Sequence, residues 1–182
     1  DFGEIDRLAS IVKPHIGVIT NIGVAHMESL GSREGIFQAK MEIAKHIAGD
    51  DELPGTLIYA SDSEFLTKEK TKGNYDQISI GEKGKDDYII SSVDDFGMDG
   101  IKFTLEHAQK VRQISLPLPG RHNAINSALA VAVGDLLGVS PEEETDGLAA
   151  ADLTGNRLKR RENCSICVID DTYNASPDSM KS

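Results

Sequence analysis

Short β-branched runs alternate with segments of helical period from the first residues to Ile80, and this alternation restricts the fold more than any other feature. Ile16-Gly17-Val18-Ile19-Thr20, Gly55-Thr56-Leu57-Ile58-Tyr59-Ala60 and Gln77-Ile78-Ser79-Ile80 read as strands. Between them, Asp1 to Val12 reads as a loop end plus a helix, a second helix opens near Ser32, and Ser63 to Lys70 reads as a short third. Ser32 is a good N-cap, and Glu34 falls in the first turn behind it. Parallel neighbours need long crossovers, so strand and helix in alternation imply an α/β fold with a parallel sheet.

The pattern changes at the glycine and charge cluster 81–87. Tyr88 to Val93, Gly100 to Leu105 and Val111 to Leu116 then read as an antiparallel meander, with Gly97-Met98-Asp99-Gly100 turning the first hairpin. The expected architecture is a mostly parallel sheet flanked by helices, with a smaller antiparallel sheet beside it. Gly84-Lys85 is not a phosphate loop, because no Ser or Thr follows and the upstream glycine spacing is missing. After Pro119-Gly120 a helix runs through Ala130, Val133 and Leu136 to Gly138, apolar on nearly all sides and therefore expected to be mostly buried. Ser140-Pro141-Glu142-Glu143 opens another helix, with cap, N1 proline and first-turn acids in place.

Composition narrows the function. A formal net charge of -11 argues against a phosphate-backbone binder, so nucleic acid is not an expected partner. No apolar run approaches a membrane span, and Asp1-Phe2-Gly3-Glu4 lacks a signal peptide's basic start; a soluble, cytoplasmic chain with no membrane insertion is expected. Cys164 and Cys167 form a C-x-x-C inside an expected strand, where an odd separation points side chains to opposite faces, and no second pair completes a zinc site.

Several residues are candidates for chemistry. Lys40 lies in the apolar stripe of its helix, between Ile36 and Ile43 with Ile47 beyond. Its stem can line the core while the ammonium snorkels to water. Alternatively, desolvation lowers its pKa, and the neutral amine acts as a nucleophile or takes up carbon dioxide to become an anionic metal ligand. His26, in the glycine loop after the first strand, is either a loop histidine bonded to backbone or part of a metal and phosphate site at a strand's carboxyl end. Asn123 and Asn126 share one helix face; Asn123 fits a cap, and a side-chain amide also matches the donor and acceptor edge of adenine. Arg157, Lys159, Arg160 and Arg161 are a solvated strand edge, or else Arg157 reaches a phosphate with the other cations outside the site. Asp170 and Asp171 end a strand as turn formers, or bind magnesium or a ribose hydroxyl.

Taken in order, Gly3-Glu4-Ile5, Ile19-Thr20-Asn21-Ile22-Gly23, Leu30-Gly31-Ser32, Ala39-Lys40 and Asp170-Asp171-Thr172-Tyr173-Asn174-Ala175 resemble the Mur ligase family across nearly the whole chain. The wording is nearest to members that attach D-alanyl-D-alanine to UDP-N-acetylmuramoyl-tripeptide, which would be the partners. The resemblance implies an ADP-forming ligase that uses ATP and Mg2+ and passes through an acyl phosphate in peptidoglycan precursor synthesis. It also implies roles: His26 and a carbamylated Lys40 at magnesium, Asn126 beside Asn123 at adenine, Arg157 at the terminal phosphates, and Asp171 at the ribose. Asn21 would line the nucleotide pocket, and Tyr173 and Asn174 would lie by a hinge.

Departures from the family pattern shape the expected boundaries. The G-x-x-G-K-[ST] loop does not occur, Ser61-Asp62 stands for Asn-Asp, and Gly155-Asn156-Arg157 replaces Pro-Gly-Arg. The chain is expected to be an excised piece, with 1–170 a partial central ATPase domain and 171–182 a hinge and the start of a C-terminal domain. It is expected to be monomeric and, alone, inactive. A folylpolyglutamate synthase-like ligase, distinguished by upstream folate-binding segments, and a non-catalytic α/β interaction module, which would bind no ATP, are the competing readings.

Overall fold

The computed structural model describes residues 1–24, 27–82, 84–152, 157–163 and 166–173. Its helices are α1 (Glu4–Val12), α2 (Met27–Leu30), α3 (Arg33–Met41), α4 (His122–Leu136) and α5 (Pro141–Ala149). Its strands are β1 (Ile16–Ile19), β2 (Thr56–Ala60), β3 (Asp76–Gly81), β4 (Tyr88–Asp95), β5 (Ile101–His107), β6 (Lys110–Leu116), β7 (Lys159–Asn163) and β8 (Ile166–Asp170).

Strands β1 to β6 form one sheet in chain order, and β7 pairs with β8 separately. The ladders β1–β2, β2–β3 and β3–β4 are parallel, whereas β4–β5 and β5–β6 are antiparallel. The expected class is observed, with one adjustment: the meander is continuous with the parallel strands, and the smaller antiparallel sheet is β7 with β8. The junction explains the continuity. β3 and β4 overlap only where Ile80 meets Tyr88 and Gly81 meets Ile89, so the intervening turn steps back by two residues and needs no helical crossover. Asp87 secures that turn by accepting from both the amide and the hydroxyl of Ser79 at 2.9 Å.

The parallel half is covered on both faces, as such sheets require. Every residue of β2 is buried. Strand alternation sends Leu57 and Tyr59 into a core with Ile36 and Phe37 of α3, and Ile58 and Ala60 into a second core with Ala128 and Leu129 of α4. The second core extends under the meander through Phe103, Leu105 and Leu116.

Two expectations are corrected. Residues 63–70 form turns and no helix. Local side-chain bonds compete there: Ser63 Oγ accepts from the Phe65 amide, Thr67 Oγ1 from the Lys70 amide, and Thr71 Oγ1 donates to the Thr67 carbonyl. The helix carrying Lys40 ends at Met41, so Ile43 lies in a 3-10 segment (Glu42–His46) and Ile47 beyond it. The tighter turn aligns Glu42 with Lys45, and both reach α1. Glu42 accepts from the amides of Gly3 and Asp6 at 2.8 and 3.1 Å, capping α1 where no side chain of its own does so. Lys45 meets Asp6 at 3.3 Å. The helix expected to be mostly buried is so: along α4 the exposed residues are His122, Asn126 and Ala130, an i, i+4, i+8 stripe.

Among the described residues no helix is long and apolar enough to cross a membrane. Phe103 is fully buried at the centre of the meander core, and Phe103→Ala is expected to cost about 3–5 kcal/mol. Val111→Ala, at a position 64% exposed, is expected to change stability by less than about 0.5 kcal/mol. Urea denaturation of both variants checks the difference; equal midpoints would place the core elsewhere.

Candidate functional site

Ligands of open α/β sheets collect at the carboxyl ends of the parallel strands, and the structure puts Lys40 there. The turn that ends α2 lets Gly31 adopt φ 75, after which Ser32 Oγ accepts from the Gly35 amide and starts α3. Gly35 must lack a Cβ, since that atom would stand 2.1 Å from the Leu30 carbonyl oxygen. Arg33 fastens the helix to the loop after β1 by donating to the Ile22 carbonyl at 3.1 Å. Lys40 then reaches the same loop, its ammonium donating to the main-chain carbonyl of Asn21 at 2.7 Å and to Asn21 Oδ1 at 3.4 Å. The side chain is half-buried, and burial holds its pKa below the ordinary lysine value. Desolvation of this kind raises the neutral population of an amine.

A second group stands on α4. Arg121 ties the start of this helix to the loop after β3 through Glu82, with N–O distances of 3.2 and 3.0 Å. Asn123 is buried and does not cap the helix; its amide nitrogen donates to the Pro119 carbonyl at 2.7 Å, and its oxygen accepts from Asn126 at 3.3 Å. Asn126 itself is exposed. Asn123 therefore braces the connector, and Asn126 is the amide available to a ligand.

The third group lies at the open end of the β7–β8 ribbon. Arg160 pairs with Glu162, and Arg161 with Asp170 at 3.3 Å, so both are exposed strand cations matched by an acid. Arg157 instead lies over the ring of Tyr173. Asp171 accepts from the Leu158 amide at 3.3 Å. A cavity of about 480 Å³ runs between this end and the connector before α4, lined by Pro117, Leu118, Pro119, Asp152, Arg157 and Lys159 among others. Pro119 joins the second and third groups, since Asn123 holds its carbonyl.

The structure thus brings together Lys40 with Asn21, Asn123 with Asn126, and Arg157 with Asp171. His26, Asn174, Cys164 and the 155–156 turn lie outside the described residues. Among the described residues, no group of three His, Cys, Asp or Glu side chains is placed to hold a metal. Sequence reasoning passed over Arg33 and Glu42. A signal was present: each is a charge at the helix end where the macrodipole disfavours it, a cation in the first turn of α3 and an acid at its C-cap.

The Mur ligase middle domain family matches residues 1–134. The chain belongs to the Mur ligase family. Among curated Mur ligases, the UDP-N-acetylmuramoyl-tripeptide--D-alanyl-D-alanine ligase of Bacillus subtilis is 37% identical over 98% of this chain and 37% of its own length. The Escherichia coli enzyme of the same name is 28% identical over 98% of this chain and 39% of its own. The chain therefore spans under two fifths of the length of these two relatives. Among solved structures, MurF from Acinetobacter baumannii superimposes with a TM-score of 0.88 at 36% identity, over 99% of this chain and 38% of that one. The MurF ligase from Thermotoga maritima in complex with ADP gives 0.82 at 27% identity, over 100% and 40%.

Lys40 carries a pH signature. Its folded pKa lies below the unfolded one, so between those values the unfolded chain binds more protons and stability rises with pH. Below the folded pKa both states are protonated and the full cost of burying the charge is present. Relative to Lys40→Met, the wild type is expected to gain stability as pH rises through this window toward the ordinary lysine pKa. Denaturant midpoints measured across alkaline pH check the sign; a falling difference would contradict it.

Proposed function

We propose that this chain is the central nucleotide-binding part of a cytoplasmic, monomeric, ATP-dependent ligase that joins D-alanyl-D-alanine to UDP-N-acetylmuramoyl-tripeptide. Residues 1–170 belong to the central ATPase domain, and 171–182 to the hinge and the start of the next domain. The observation that carries the proposal is Lys40: a partly desolvated amine, fixed to Asn21 at the carboxyl end of β1. The names of the similar ligases support the substrate pair, and the ADP complex supports ATP.

Each side chain has a task in this reading. Asn126, braced by Asn123, offers donor and acceptor to adenine. Arg157 presents its planar donors to the terminal phosphates. Asp171 meets the ribose with the oxygen not used on Leu158, Asn21 lines the pocket, and Asn174 stands by the hinge. The acceptor carboxylate attacks the terminal phosphorus of ATP and releases ADP. The dipeptide amine then attacks the acyl carbon, phosphate leaves, and the amine's proton passes to solvent. Negative charge grows on phosphoryl and then on carbonyl oxygen, and donors fixed beforehand stabilise it most.

His26 would hold one magnesium, and Lys40 would orient a second as its carbamate, because a neutral amine adds carbon dioxide and releases a proton to give an anionic oxygen ligand. When bound, the ion would neutralise phosphoryl charge.

In a full-length ligase carrying this sequence, ADP release is expected to require both UDP-N-acetylmuramoyl-tripeptide and D-alanyl-D-alanine. Lys40→Ala is expected to lower kcat by about 100-fold or more. ADP release driven by a folate and glutamate, or an unchanged Lys40→Ala enzyme, would overturn the assignment. The 182-residue chain alone, which contains no G-x-x-G-K-[ST] loop, is expected to give no ligation. Detectable turnover by it would show that the phosphate-binding part is wrongly placed.

A further inference from the structure

The guanidinium carbon of Arg157 lies 4.3 Å from the centroid of the Tyr173 ring. The two residues approach from opposite strands, Arg157 just before β7 and Tyr173 just after β8. The ladder closes at Lys159 with Asp170, and one step further the Leu158 amide donates to Asp171. Leu158 adopts φ 47, a left-handed conformation that residues with a Cβ take up uncommonly. The bond to Asp171 favours that conformation. The backbone is thereby turned out of strand geometry immediately after Arg157, and the arginine side chain meets the ring.

Stacking is a particular way to hold an arginine. A carboxylate partner consumes the N–H donors, as Glu162 and Asp170 do for Arg160 and Arg161. An aromatic face uses only the flat side of the guanidinium and leaves the donors in its plane free for phosphate oxygens. Among the described residues, Arg157 forms no ion pair with an acid, and it borders the cavity beside Pro119.

We propose that Tyr173 is a positioning residue for Arg157: its ring fixes the guanidinium plane, while Asp171 fixes the turn that delivers it, so that the segment after β8 sets how the arginine meets a nucleotide phosphate. This rests on the reading of Arg157 as the phosphate contact given above. It adds that the aromatic ring itself is required, and that a hydroxyl at this position is not.

Two measurements test it. In the 182-residue chain, the Arg157 side-chain Nε–Hε resonance, assigned by its loss in Arg157→Lys, is expected upfield of the other arginines through the ring current. It should stay there in Tyr173→Phe and rejoin the others in Tyr173→Leu, a change at a position 61% exposed that leaves the core untouched. In a full-length ligase carrying this sequence, Tyr173→Leu is expected to lower kcat about two- to fivefold, with KM for ATP moving less, and Tyr173→Phe to retain wild-type values. A resonance that is not upfield, or does not respond to Tyr173→Leu, overturns the stacking. A kcat that falls in Arg157→Ala but not in Tyr173→Leu overturns the positioning role alone. A kcat unaffected in both variants overturns the phosphate role of Arg157, and the inference with it.

Discussion

The complete burial of β2 is the constraint on which the rest depends. A strand buried on both faces needs apolar cover above and below, and α3 and α4 supply it from opposite sides. Both helices carry polar residues tied to the segments beside them: Lys40 on α3 to the loop after β1, and Asn123 on α4, which also accepts from Asn126, to the connector after β6. The packing that stabilises the sheet therefore also sets where these groups stand. A slip of β2 by one residue would exchange its two faces and displace both helices together.

Polar contacts then fix what hydrophobic packing leaves loose. Tyr88 donates to Asp135 at 2.8 Å, and Arg112 bridges Asp135 at 2.6 Å and Glu144 at 2.5 Å, binding β4 and β6 to α4 and α5. Burial raises the Glu144 pKa, as does the Asp135 charge, while Arg112 opposes both. Among the described residues Glu144 Oε1 is buried without a hydrogen-bond partner, against Gly134, where a Cβ would lie 2.6 Å away. Such a network holds α4 rigidly on the meander, and a rigid α4 keeps Asn126 in place. Lys40 is held differently. It gives up hydration to donate to a neutral carbonyl, and this leaves its charge weakly compensated.

Much of this was legible in the sequence, because period and capping are local properties. The strands of the sheet, the Ser32 cap and the Ser140 cap with Pro141 behind it in α5 followed from spacing and residue type. The 63–70 turns did not, since their serine and threonine side chains compete with the helix only in the folded geometry. The early end of α3 was hidden for a similar reason: Ile43 and Ile47 keep helical spacing by coincidence, and the deciding partner of Glu42 lies on α1. Lys40 stood out as a cation in an apolar stripe, and its contact with Asn21 gave that oddity a cause. Arg157 was named for its charge, whereas the role of Tyr173 depends on a cross-strand approach that no local pattern encodes.

The central claim is that one nucleotide is bound along the carboxyl edge of this sheet, between Lys40, Asn126 and Arg157. A crystal structure of a full-length ligase carrying this sequence, with magnesium and a non-hydrolysable ATP analogue, tests it most directly. The expected result is adenine against Asn126, with the terminal phosphates within hydrogen-bond reach of Arg157 and the metal beside Lys40. A nucleotide bound at the amino ends of the strands, for example in the cleft between Met41 and Lys72, would contradict it.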